Sequence, residues 1–152
     1  MPYELIEHTA DTGFTATGET LDEAFAAAVD GFAAIVHQDA DVEPDGTDTV
    51  SVTAENLEAL VFDFVGKLIY LQDAEARLVC GAEHVAVSPP GGMDPAEALA
   101  SDADGDWTVE ATIGTATLER GMGLLDIKGP TYNEMRVEET EDGWLLRTVL
   151  DI

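Results

Sequence analysis

Residues 7 to 13 read Glu-His-Thr-Ala-Asp-Thr-Gly, between two stretches with strand character. A carboxylate, an imidazole and a second carboxylate so close together can close a turn, move a proton or ligate a cation. The far end of the sequence carries matching chemistry: Asp151 is the penultimate residue, and a free α-carboxylate is expected on Ile152 after it. A last strand lying beside Asp11 brings these carboxylates together, where they repel and raise one another's pKa unless a cation sits between them. Ca²⁺ takes about 6 to 8 oxygen ligands at roughly 2.3 to 2.6 Å, so carboxylates, a main-chain carbonyl and water complete its shell. Mg²⁺ keeps more water and demands a stricter octahedron. The plainer reading has Asp11 closing an Asx-turn and Asp151 solvated. For His8 a core imidazole with both nitrogens bonded is favoured, since these hard cations prefer oxygen. No ligand set suits zinc, and the single Cys80 has no internal partner.

The elements that must position these groups alternate in type. Strands are expected at 3–8 and 13–18. Thr20-Leu21-Asp22-Glu23 fits a capping box, with Glu23 reaching back to the cap. Leu21, Phe25, Ala28, Phe32 and Ile35 then recur on one helix face, which predicts a helix over 21–37. An acidic Pro/Gly loop at 39–48 leads to a strand at 49–53, and a second helix is expected over about 55–71. A strand lies within 76–88. An acidic Pro/Gly-rich loop follows at about 89–106, with one helical turn near Pro95 to Leu99. A longer strand starts at Trp107, and Gly121 and Gly123 mark a turn or bulge. Residues 128–133 link to a strand at 134–139, and Asp142-Gly143 turns into the last strand, 144–152. In that strand Leu145, Arg147, Val149 and Asp151 share one face. The pattern is α+β, a single domain over 1–152 with mixed or antiparallel sheets and two main helices.

Composition narrows the function. With 6 Lys+Arg against 32 Asp+Glu, the net charge is −26. Such a surface repels polyanions, so direct nucleic-acid binding is not expected. The acids are spread along the whole chain and 45% of residues are hydrophobic, so neither a disordered acidic tail nor a nucleic-acid mimic fits as well as adaptation to molar internal salt. The first residues lack signal-peptide character, and no apolar run approaches the roughly 20 residues that span a bilayer. A cytoplasmic protein with no membrane partner is expected.

The ordered set of Tyr3-Glu4, His8-Thr9-Ala10-Asp11-Thr12-Gly13, Gly18 to Phe25, the Leu57 to Leu71 helix, Ile127-Lys128 with Thr131-Tyr132, and Val149 to Ile152 resembles the archease family over nearly the whole chain. The sequence departs from that pattern at Asn133, where His is expected, and in the length of 89–106. The acidic surface suits a member from a halophilic archaeon. The resemblance implies the archease fold and an accessory protein, not an enzyme. Its implied partner is the GTP-dependent RNA ligase of tRNA splicing, whose guanylylation and repeated turnover it promotes. It also implies a divalent cation, Ca²⁺ before Mg²⁺, on Asp11, Asp151 and the Ile152 carboxylate, and it marks Lys128 as a further functional position. For Lys128 a surface ion pair is an equal alternative.

Two other functions compete. One is a chaperone or specificity modulator of tRNA-modifying enzymes such as methyltransferases, also suggested for this family. The other is a small metal-dependent hydrolase with His8 as general base. No Walker A loop is present, so the chain has no nucleotide site of that kind.

Overall fold

The first helix starts where its cap dictates. Thr20 Oγ1 accepts from the Glu23 backbone N–H at 3.2 Å, and Glu23 Oε2 accepts from the Glu19 and Thr20 N–H groups at 2.8 and 3.2 Å. This is the capping box read from the sequence. The computed structural model describes residues 2–7, 11–37, 42–101, 103–119 and 124–152. Helix α1 runs Leu21–His37, between β2 (Asp11–Gly18) and β3 (Gly46–Ala54). Helix α2, Leu57–Asp73, starts two residues later than expected because Asn56 caps it, its side chain accepting the Ala59 N–H at 2.8 Å.

Among the described residues, seven strands form two sheets in which every pairing is antiparallel. With β1 at Tyr3–Glu7, β4 at Arg77–Ser88, β5 at Trp107–Thr117, β6 at Gly129–Thr140 and β7 at Gly143–Asp151, the orders are β1-β2-β7-β6 and β3-β5-β4. Helix α1 packs on β1, β2 and β7 of one sheet and β4 of the other, while α2 packs on β6 and on β3, β4 and β5. The helices therefore lie between the sheets, which explains why α1 buries Ala24, Val29 and Val36 as well as the stripe through Phe25 and Phe32. Phe25 and Phe64, both nearly fully buried, join the helices with ring centroids 5.5 Å apart at 54°.

Other boundaries also differ from the sequence reading. Strand β3 begins at Gly46, inside the expected acidic loop, because Arg77 on β4 donates to Asp45 at 2.8 Å, Asp48 at 3.3 Å and Thr115 at 2.9 Å and so extends the β3–β5 ladder. Strand β6 takes in most of the expected link at 128–133, with its register broken between Thr131 and Arg136. Within 89–106 the helical turn expected near Pro95 to Leu99 is the short helix α3, Pro95–Ala100, preceded by a 3₁₀ turn at Pro90–Gly92. Asp94 caps α3 and Ala98 is buried beneath it. Strand β5 extends to Thr117. The expected turn at Gly121 and Gly123 lies outside the described residues, as does most of the His-Thr-Ala-Asp turn. The β6–β7 turn falls at Asp142-Gly143 as expected: Gly143 has φ +136°, and a Cβ there would meet Gly18 O at 2.2 Å.

Candidate functional site

Strand β7 runs antiparallel between β2 and β6, so the chain's two ends meet inside one sheet. Asp11 pairs with Asp151, Thr12 with Leu150 and Gly13 with Val149. On its other side Asp151 pairs with Gly129. Alternation along the strands separates two faces. Thr12, Phe14 and Ala16 of β2 are buried toward α1, with Leu146, Thr148 and Leu150 of β7. Asp11 and Asp151 share the opposite face, Asp11 half-buried and Asp151 exposed.

Close approach of the backbones makes this pairing possible. A Cβ on Gly13 would lie 2.4 Å from Thr148 O and 3.0 Å from Val149 Cα, so only glycine admits β7 here. Thr12 Oγ1 donates to Ile6 O at 3.0 Å and binds β1 to the same corner. The Lys128 backbone N–H donates to Asp151 O at 2.8 Å, tying the strand end to the residue before β6. The backbone of Lys128, rather than its exposed side chain, is thus what holds Asp151 in place.

Carboxylates directly opposed on neighbouring strands have Cβ atoms about 4.5–5.5 Å apart and destabilise the pair. A cation bridging them removes that penalty, and hard oxygens are the donor type that Ca²⁺ or Mg²⁺ takes. One row along the same face, Thr131 pairs with Val149, and its Oγ1 is buried with no hydrogen bond. That oxygen is an acceptor not committed to the fold, and the strand pattern alone did not single it out. Among the described residues no group of three or more His, Cys, Asp or Glu side chains is placed to hold a metal. Two side-chain carboxylates fit a cation only with further oxygens from main chain or solvent. His8 lies outside the described residues. Asn133 is exposed within the register break of β6.

Residues 3–152 match the model of the Archease protein family (MTH1598/TM1083). The chain belongs to the archease family. Archease from Thermococcus gammatolerans is 32% identical over 151 residues, covering 99% of this chain and 98% of that protein. Archease from Pyrobaculum neutrophilum is 30% identical over 150 residues, covering 99% and 95%. The solution structure of Methanobacterium thermoautotrophicum protein 1598 superposes with a TM-score of 0.72 over 99% of both chains, at 19% identity, and so shows a common fold. Membership of the archease family supports an accessory role. No helix among the described residues is long and apolar enough to cross a membrane.

Proposed function

We propose that this archease activates an RNA ligase of tRNA splicing, promoting its guanylylation and repeated turnover. Asp11, Asp151 and the α-carboxylate of Ile152 hold a divalent cation, Ca²⁺ or Mg²⁺, at the edge facing the partner. The observation that carries this reading is the shared rung of Asp11 and Asp151, two like charges drawn from opposite ends of the chain and left opposed. The cation supplies positive charge, able to balance phosphate oxygens, on a surface that is otherwise strongly negative. Asp11 and Asp151 orient it, and the Lys128 N–H fixes the Asp151 backbone. Nucleotide binding and the phosphoryl-transfer machinery belong to the ligase.

Guanylylation of the ligase, followed with labelled GTP in the presence of wild-type protein, Asp11→Asn, Asp151→Asn and Lys128→Ala, tests this. Stimulation falls by at least about tenfold in both Asp variants, the equivalent of about 1.4 kcal/mol. Full stimulation by both removes the carboxylate pair from the mechanism. Turnover of phosphorylated substrates without any ligase points to the hydrolase reading instead.

A further inference from the structure

At the end of the four-stranded sheet remote from Asp11 and Asp151 lies a groove of about 860 Å³. Gly18, which lines it, is seven residues along β2 from Asp11, about 23 Å at the rise of an extended strand. Exposed Pro2 and half-buried Ala26 and Leu145 give the groove apolar surface, and Glu19, Glu23, Asp30 and Asp142 stand around them with no Lys or Arg among the lining residues. We propose that this groove docks a basic amphipathic segment of a partner protein, its apolar side chains against Leu145 and Ala26 and its Lys or Arg side chains on the carboxylates.

Three features select that occupant. The rim excludes anionic ligands such as nucleotides, because nothing positive lines the groove to compensate their charge. The apolar walls reward more than charge, so a purely hydrophilic polycation gains less than a segment that also buries aliphatic groups. The carboxylates are also spread out. Glu23 and Asp30 are separated by seven residues of α1, about 10 Å along the helix axis, and Asp142 belongs to the β6–β7 turn. One small amine cannot reach both ends, whereas cationic side chains three residues apart in a polyproline II segment share one face and are about 9 Å apart. Burial already pushes the Asp30 carboxyl above its usual range, so a cation beside it offsets an existing cost.

The groove is tested on the full chain without any ligase, so failure here leaves the ligase role standing and failure there leaves the groove standing. The probe is the blocked peptide Ac-Arg-Leu-Ala-Arg-Leu-Ala-Arg-amide, and the control replaces each Leu by Ser at the same charge. Amide shifts are followed in the ¹⁵N-labelled protein. Saturable shifts are expected at Thr17, Gly18, Asp30 and Leu145, with the Ser peptide weaker by at least about tenfold. The pair Glu19→Gln/Asp142→Asn weakens the Leu peptide by a similar factor, and the remote pair Glu58→Gln/Glu75→Gln does not. Equal binding of both peptides, shifts dispersed over the acidic surface, or equal loss in both variant pairs overturns the proposal. So does a single-stranded RNA that shifts the same amides.

Discussion

Asp11 and Asp151 occupy one rung of the β2–β7 ladder, carboxylate opposite carboxylate, on the face turned away from α1. Without a cation, this rung opposes folding. In EDTA, Asp151→Asn is therefore expected to be more stable than wild type by about 0.2–1 kcal/mol. Added Ca²⁺ reverses the order: at a concentration near 100 times Kd it stabilises wild type by about 2.7 kcal/mol and the variant far less. Calorimetric melts with chelator and with Ca²⁺ decide the matter. An equal response from both proteins shows that the ion binds elsewhere.

The closeness of β2 to β7 rests on Gly13. Gly13→Ala places a methyl 2.4 Å from Thr148 O, so the strands must separate. A loss of about 1–3 kcal/mol is expected, with faster hydrogen exchange at the β2 and β7 amides around the substitution. Gly129→Ala is the matched control: it also lies beside Asp151, but nothing stands within 4 Å of its added Cβ. Its effect is expected within about 0.5 kcal/mol, and similar losses in the two variants argue against the close-approach account.

Thr148 sits fully buried among Phe14, Leu146 and Leu150, and its hydroxyl has no hydrogen-bond partner. Leaving a hydroxyl dry and unpaired costs about 1–3 kcal/mol. Thr148→Val keeps the branched shape and removes that cost, so urea unfolding should show a higher midpoint at unchanged slope. A lower midpoint means that the hydroxyl is bonded in solution.

Two carboxyls pull the pH dependence in opposite directions. The Thr117 backbone N–H, and then the Arg77 guanidinium, hold Asp45 below its usual value of 3.8. Its contribution is complete above 3.8 and disappears as pH falls through the lower folded value. Burial raises Asp30 despite the Ala82 N–H that it accepts, so its charged form opposes folding above the raised value and ceases to do so as pH falls below 3.8. Asp45→Asn should accordingly lower the melting temperature at neutral pH, and Asp30→Asn should raise it. Both differences shrink in acid, and melts across that range that keep either difference constant contradict the assignment.

Local rules made most elements legible in the sequence. The capping box set the start of α1, the 3.6-residue stripe set its extent, and Asp142-Gly143 set the last hairpin, because caps, periodicity and turn residues act within a few positions. The β3 boundary was missed because Arg77, about 30 positions away, prolongs that strand. The bulged start of β6 was missed because a register break is decided by the partner strand.

The sequence by itself determined the residue types of the candidate site, two aspartates near the chain's two ends and a lysine, and through its motif the family. Only the tertiary structure decided that Asp11 and Asp151 share a rung, that the Lys128 amide anchors Asp151, and that Thr131 leaves an unbonded oxygen beside them. Strand order and register come from burying Phe14, Leu146 and Leu150 against α1. Many distant contacts make that choice together, whereas a motif records only neighbours along the chain.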